Sequence, residues 1–501
     1  MSNKKCILCI LDGWGIAPDS AGNAITKANP QVYKFLLENF PNTTLKASGP
    51  AVGLPEEMDG NSETGHLNLG AGRTVYQDLS LINMSIADGS FFTNQTLLGT
   101  ARHIKSFDSD LHLLGLIGAS GVHASNDHLF ALMLFAKKQG INNVYLHLIT
   151  DGRDSPPDDA INQIKKVEEK INEIGIGQIA SIMGRYYAMD RDLRLDRTQA
   201  AYNCLLQGDE NTGLSSEDFI TSQYAKSIFD EFIKPTAITS NFKNTRVKAS
   251  DAVCFFNFRT DRPRQLTQMF LEHPLPNQKF VTMTPYKKEF GNPTIFGSTT
   301  VTKTLGQIIS EKNYKQLRMA ETEKIAMVSY FFNGQSEEVF VGEERQYIDS
   351  PKVTTYDLIP AMSTEELVKK FSENFKTTDY IFGLLNIACP DMVAHTGKIE
   401  KTIEAIKAAD LALSELINLA KETNSYLVIT ADHGNAEELI NHDTGNIDTE
   451  HSASPVPLII YHPADNQFKL NPGKLGDVAP TILKLLNIEK PVEMTGNNLI
   501  S

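Results

Sequence analysis

The sequence predicts an α/β protein of two or three domains, and three observations carry that prediction. Short, continuous apolar runs recur along the chain, as expected of strands buried on both faces of a parallel sheet. Many of these runs end abruptly in charged or catalytic-type residues, the pattern of the ligand-binding edge of an open α/β sheet. A chain of 501 residues is also too long for one ordinary hydrophobic core.

The first run, residues 6–11, is a strand that delivers Asp12-Gly13-Trp14-Gly15. Cys6 and Cys9 fall within it and point to opposite faces, so they read as small buried hydrophobes and not as a redox pair. Asn29-Pro30 predicts an N-cap followed by an N1 proline, for a helix that stops before Pro41. The stretch the chain is organised around follows: Asp59-Gly60-Asn61-Ser62-Glu63-Thr64-Gly65-His66. Taken alone it reads as a helix cap, because Asn and Ser are ordinary N-cap residues. A serine between glycines can also be a nucleophile, provided a base or a metal takes its proton.

From about residue 78 to 297 a second βα series runs. Leu111–Gly118 leads into Gly121-Val122-His123, and Val144–Thr150 into Asp151-Gly152-Arg153-Asp154. Ile179–Met183 leads into Gly184-Arg185-Tyr186 and then Arg191, and Val253–Phe258 into Arg259-Thr260-Asp261-Arg262. One arginine at a strand end is ordinarily a solvated charge, but four strands repeating the pattern predict one anion-binding pocket. After residue 297 the first pattern returns. Glu321-Thr322-Glu323-Lys324 precedes the apolar run Ile325–Phe332, and Tyr380–Ile387 is a strand ending in Ala388-Cys389-Pro390-Asp391. Ile399, Ile403, Ile406, Leu413 and Ile417 mark one face of a long helix. Tyr426–Thr430 runs into Ala431-Asp432-His433-Gly434, Val456–Tyr461 is a further strand, and an amphipathic helix lies near 477–487.

Composition narrows the class of function. A formal net charge of −14 excludes nucleic acid and an anionic membrane as general partners. The five cysteines are odd in number and scattered, which predicts a reducing compartment. Only six apolar residues separate Lys4-Lys5 from Asp12, too few for a signal sequence or a membrane span, so a cytoplasmic protein is expected.

Carboxylates and imidazoles cluster at the strand ends of the two outer segments. Asp391 and His395 are four apart, on one face of a helical turn. Asp432-His433 forms a second pair, His451 follows a loop rich in Gly, Asn and Asp, and Asp12 adds a carboxylate from the first strand. One such pair is ordinarily just hydrogen-bonded. Together they predict a binuclear site, and ligands of this type without cysteine suit Mn²⁺ or Zn²⁺. Two ions about 3.5–4 Å apart suit in-line transfer of a phosphoryl group, with Ser62 as acceptor.

These motifs, with Gly184-Arg185-Tyr186-Tyr187-Ala188-Met189-Asp190-Arg191, Asn257-Phe258-Arg259-Thr260-Asp261-Arg262, Asp391-Met392-Val393-Ala394-His395-Thr396-Gly397 and Ala431-Asp432-His433-Gly434-Asn435, resemble cofactor-independent phosphoglycerate mutase, of the alkaline phosphatase superfamily, over the whole chain. The resemblance implies a discontinuous alkaline-phosphatase-like domain, 1–77 and 308–501, with a phosphotransferase domain, 78–297, inserted into it through a linker at 298–307. It implies two divalent ions, Mn²⁺ expected, one on Asp391, His395 and His451 and the other on Asp12, Ser62, Asp432 and His433. Ser62 would carry the phosphoryl group, and His123, Arg153, Asp154, Arg185, Arg191, Arg259, Arg262 and Lys324 would hold the phosphoglycerate. Asp154 is the candidate for moving the hydroxyl proton and Lys324 for neutralising the phosphoryl group. The implied reaction interconverts 3-phosphoglycerate and 2-phosphoglycerate, in glycolysis and gluconeogenesis, through phosphoserine and without 2,3-bisphosphoglycerate. A monomer acting on a small molecule is expected.

Departures from the family pattern at Thr64, Ala124-Ser125, Leu195, Met327 and Cys389 remove no implied ligand. The alternatives are another binuclear phosphomutase, such as a phosphopentomutase, or a phosphomonoesterase. The cation-rich insert favours a mutase, which must retain a dephosphorylated intermediate. A binding module without activity would lack a ligand or the nucleophile, and none is missing.

Overall fold

The structure is a computed structural model that describes residues 4–208, 212–238, 245–297, 301–441 and 444–501. The chain divides into two compact units, Met1–Gln77 with Thr300–Ser501, and Asp78–Thr299.

The first unit is built on an eight-stranded sheet. Its strands lie in the order Glu343–Ile348, Lys315–Glu321, Tyr380–Ile387, Lys5–Leu11, Ser425–Thr430, Val456–Tyr461, Asn42–Lys46 and Gly473–Lys474. The first five are mutually parallel, with Leu8 paired to Leu384 on one side and to Val428 on the other. Val456–Tyr461 runs against its neighbours. The central strands are buried along their whole length, which is why they read as unbroken apolar runs and not as alternating ones. Because these strands are parallel, Asp12, Lys324, Asp391 and Asp432 all emerge at the same edge of the sheet. Helix Ile399–Thr423 buries Ala405, Ile406, Ala409, Leu413, Leu416, Ile417 and Ala420, at the spacing of one helical face.

The second unit is built on a six-stranded sheet, in the order Thr236–Ala237, Gln178–Gly184, Val144–Thr150, Leu111–Ile117, Ala252–Phe255 and Lys279–Thr282. All neighbours are parallel except Thr236–Ala237. The carboxyl ends of its four central strands lead to His123, Asp151–Asp154, Arg185 and Arg259–Arg262.

Four details differ from expectation. Asn29 does not start the helix Gln31–Asn39; it closes the preceding helix, Ala24–Ala28, in a left-handed conformation, and Pro30 stands at the N-cap. The strand expected over 253–258 is limited to Ala252–Phe255. Glu321-Thr322-Glu323-Lys324 follows a strand and does not precede one: Lys315–Glu321 is the strand, and Met327–Phe331 forms a π-helical turn. The polar composition of Lys315–Glu321 hides it from pattern reading, since Arg318 is fully buried between the rings of Phe332 and Phe382. Of the expected linker, residues 298–300 lie outside the described residues. Leu305–Glu311 is a helix whose Leu305, Ile308 and Ile309 join the core of the first unit.

Candidate active site

Asn61 caps the helix Ser62–Ala71, its side chain accepting the N–H of Thr64 at 2.9 Å. The capping role is therefore real, and it also seats Ser62 at the first helical position. Ser62 Oγ lies 2.9 Å from His433 Nε2, 2.8 Å from Lys324 Nζ and 3.4 Å from Asp12 Oδ1. Lys324 Nζ also donates to Asp12 Oδ1 at 2.7 Å and to Asp391 Oδ2 at 2.8 Å.

Around this centre the acids and imidazoles fall into two groups that could each hold a metal, Asp391 with His433 and His451, and Asp12 with Asp432 and His433. His395 closes on the first group, with Nε2 3.3 Å from Asp391 Oδ1 and 3.2 Å from His451 Nε2. Its Nδ1 faces the carbonyl of Thr449 at 2.7 Å, which leaves Nε2 as the ligand nitrogen. All seven expected ligands, Asp12, Ser62, Asp391, His395, Asp432, His433 and His451, are thus brought together in the first unit. His433 stands between the two groups instead of belonging to one.

The electrostatics favour cations. Asp12, Asp391 and Asp432 are all buried. Burial resists ionisation of Asp432, but His433, His66 and Lys324 hold it well below the ordinary carboxylate range. His433 is lowered by burial and raised by Asp432, Asp12 and Asp391, with a net rise to about 10. Lys324 and the protonated His433 against three buried carboxylates still leave a surplus of negative charge.

The second unit gathers the cationic residues. Arg185 is buried, pairs through Nη1 with Asp151 and Asp154, and donates from Nη2 to His123 Nε2 at 3.0 Å. Burial, and then the charge of Arg185, lowers His123 to about 4, so its imidazole is neutral. Asp261 gathers Arg191 (3.0 Å) and Arg259 (3.3 Å), and Arg262 Nη1 donates to the carbonyl of Met189 at 3.4 Å. Arg153 lies 3.5 Å from Glu231. Arg153, Arg191 and Arg259 are about half exposed, available to an anion. The expected phosphoglycerate contacts of the insert therefore share one site, whereas Lys324 belongs to the serine and carboxylate cluster of the first unit.

Residues 4–490 match the family model of the metalloenzyme superfamily. The chain is 46% identical to the 2,3-bisphosphoglycerate-independent phosphoglycerate mutase of Acetivibrio thermocellus, covering 100% of both chains. It is 42% identical to that of Staphylococcus aureus, again over 100% of both. The chain belongs to the 2,3-bisphosphoglycerate-independent phosphoglycerate mutases. A crystal structure of Leishmania mexicana phosphoglycerate mutase, obtained at low cobalt concentration, superposes with a TM-score of 0.63 at 26% identity, over 100% of this chain and 98% of that one. As in that superfamily of metalloenzymes, the donor set here suits a divalent metal. A particular atom supports the fit: Asp432 Oδ2 is buried and makes no well-aligned hydrogen bond among the described residues, with His66 Nδ1 at 3.2 Å and His433 Nε2 at 3.5 Å beside it.

Residues that sequence reading does not single out support this mutase site. Asn386 Nδ2 donates to Asp12 Oδ2 at 2.6 Å and contacts His66 Nε2 at 3.1 Å. That amide nitrogen can only donate, so His66 carries its proton on Nδ1, toward the carbonyl of Ser62 at 2.9 Å. Asn435 Nδ2 donates to Asp391 Oδ1 at 2.8 Å. Asp151 and Asp261 do similar work for the arginines. His66, Asp151, Asp261 and Asn435 all sit inside the recognisable motifs; Asn386, an amide within an apolar strand, gives the one local signal outside them. The departures from the family pattern are also accounted for near His123. Ser125 caps helix Asn126–Lys138 by accepting the N–H of Asp127 at 3.2 Å, and Ala124 is buried in the core.

Proposed function

We propose that this chain interconverts 3-phosphoglycerate and 2-phosphoglycerate without 2,3-bisphosphoglycerate, with Ser62 as transient phosphoryl carrier. The observation that carries the proposal is the position of Ser62 Oγ, within hydrogen-bond distance of both Lys324 Nζ and His433 Nε2. In the first half-reaction Ser62 Oγ bonds to phosphorus as the bond to the substrate oxygen at C3 breaks, and the proton that the serine hydroxyl gives up is balanced by the one the C3 oxygen takes up as a hydroxyl. In the second, the C2 oxygen bonds to phosphorus as the bond to Ser62 Oγ breaks. Asp154, paired with Arg185, is the group assigned to the C2 hydroxyl proton. Lys324 balances charge on the phosphoryl oxygens. Arg153, Arg185, Arg191, Arg259, Arg262 and His123 retain the glycerate by its carboxylate and hydroxyls, with the planar guanidinium groups suited to bidentate contact.

Two divalent ions, Mn²⁺ in this proposal, would be held by Asp391, His395 and His451, and by Asp12, Ser62, Asp432 and His433. Bound there, they would lower the pKa of the serine hydroxyl and neutralise charge on the phosphoryl group. The carboxylate and imidazole donors support Mn²⁺. We further read the chain as a cytoplasmic monomer. The five cysteines are all buried and none forms a disulfide, which supports a reducing compartment, and no helix among the described residues is long and apolar enough to cross a membrane.

The test is a coupled assay on chelated protein with Mn²⁺ added back and 2,3-bisphosphoglycerate omitted. The expected result is metal-dependent isomerisation without free phosphate. Phosphate release without isomerisation would move the assignment to a phosphomonoesterase, and absence of turnover with Mn²⁺, Co²⁺ and Zn²⁺ would overturn it.

A further inference from the structure

Glu437 has no part in the chemistry set out above, yet it is 1% exposed and lies at the back of the metal-ligand cluster. Its Oε2 accepts the backbone N–H of Gly15 at 2.9 Å and that of Asn435 at 2.9 Å. Its Oε1 accepts the hydroxyl of Ser452. Gly15 lies three residues after Asp12, Asn435 lies two after His433, and Ser452 follows His451. One carboxylate therefore ties together three separate stretches of chain, each carrying expected metal ligands.

The surrounding backbone is shaped to admit that carboxylate. A Cβ at Gly15 would fall 2.2 Å from Glu437 Cδ, and one at Gly434 would fall 2.4 Å from Glu437 Oε1. Gly15 is required by the close approach of Glu437 alone, and Gly434 by Glu437 together with its partner Ser452 Oγ, 2.3 Å from that Cβ position. Two further links run alongside: Ala436 N–H donates to Gly13 O at 2.9 Å, and Ser452 N–H to Gly434 O at 3.0 Å. A carboxylate taken out of water costs free energy unless donors replace the lost hydration, so each of its three donors is held firmly in place.

We propose that Glu437 is a positioning residue for the metal site: it holds the loops of Asp12, His433 and His451 in register so that their ligand atoms meet a cation together. The inference rests on the metal-dependent reading given above. Ligand distances in a metal site hold to within about 0.2 Å, so the loops that carry the ligands must be kept in fixed register. A side chain that only stabilised the fold would leave the metal affinity of the folded protein unchanged.

The experiment titrates Mn²⁺ into chelated wild-type protein and three variants by calorimetry, with a thermal melt of each without metal. Glu437→Leu keeps the bulk and removes both acceptors. Glu437→Gln keeps a carbonyl for the two N–H groups and offers its amide to Ser452 Oγ. Ser452→Ala removes only the tie beside His451. The expected result is Mn²⁺ affinity about 10- to 100-fold weaker in E437L, close to wild type in E437Q, and weakened in S452A. A folded E437L with wild-type affinity overturns the proposal, whatever its melting temperature. Should E437L not fold, S452A decides: weakened binding supports the proposal and unchanged binding overturns it. Failure of the wild-type protein itself to bind Mn²⁺ would instead overturn the metal-dependent reading.

Discussion

Lys324 Nζ donates to Ser62 Oγ across 2.8 Å while paired with carboxylates on two other strand ends, Asp12 and Asp391. Burial alone would lower the pKa of this lysine, but Asp12, Asp391 and Asp432 raise it well above the ordinary value. The ammonium is charged at any working pH, so it acts as a fixed positive charge and not as a base. Lys324→Met should lower kcat by about 10²–10³-fold, measured by steady-state kinetics at saturating metal. A variant with wild-type kcat would remove Lys324 from the chemistry.

Ser62→Ala deletes one oxygen at a helix start that Asn61 continues to cap. The fold and its melting temperature should be preserved while kcat falls at least about a thousandfold. Mass spectrometry of protein quenched during turnover should detect a phosphoryl group on residue 62 of the wild type only. Substantial turnover by the variant would rule out the covalent route.

Asp151 organises the arginine site from beneath. Its Oδ1 accepts the N–H groups of Arg153 (3.2 Å) and Asp154 (3.1 Å) and pairs with Arg185, while its Oδ2 accepts the hydroxyl of Ser155 at 3.0 Å. Asp151→Asn keeps the shape and removes the charge opposite a buried guanidinium. The expected loss is about 10- to 100-fold in kcat/KM with the fold intact, the size of one charged hydrogen bond. Mn²⁺ affinity should not change, since the ligands belong to the other unit.

Glu321 supplies a pH dependence of stability. It is 0% exposed, Oε1 accepts the N–H of Ser363 at 3.0 Å, and Oε2 has no donor among the described residues. Burial pushes its carboxyl up to about 7, from an ordinary glutamate value of 4.5. Between these values the folded protein holds a proton that the unfolded chain has lost, so stability falls as pH rises from 4.5 to about 7 and then levels off. Glu321→Gln imitates the protonated form. Chemical denaturation should find it stabilised by roughly 3 kcal/mol relative to wild type above that window and not below it.

The second unit should respond in the opposite direction. Burial, with Arg185, lowers His123 to about 4; burial lowers His128 to about 4; and burial, with His112, lowers His147 well below 6.5. His147 lies within a buried chain from Asp251 through His112 and His147 to Ser181, with steps of 3.1, 2.9 and 2.8 Å. These imidazoles are neutral when folded and bind protons when unfolded, so stability present above 6.5 is lost as pH falls below it. The loss should reach about 3 kcal/mol for each of His123 and His128 by pH 4. Hydrogen exchange at falling pH should show peptides from 78–297 losing protection; retention of full protection there at pH 4 would refute this account.

Strands such as Tyr380–Ile387 and Val456–Tyr461 are legible because a strand buried on both faces is apolar at every position. Lys315–Glu321 is not, because Arg318 is buried by stacking on two rings that lie outside its own strand, one of them distant in sequence. Asn29 misleads because Asn before Pro signals a helix start, while the same residue tolerates the left-handed conformation that ends one. The expected metal ligands are legible as types, since acids and imidazoles gathered at several strand ends have few other uses together. Their sharing is not: His433 stands between both groups, a matter of distance and not of spacing.

By itself the sequence determined that this is an α/β chain, which strands are buried, which residue types wait at their carboxyl ends, and which family it joins. Those properties are encoded locally, in runs and motifs a few residues long. Only the tertiary structure decided that Lys324 sits among the carboxylates instead of among the arginines, that Asn386 sets the tautomer of His66, and that one carboxylate, Glu437, braces three loops. Most of these relationships join residues hundreds of positions apart, and parallel strands bring their ends to one edge only once the sheet has formed.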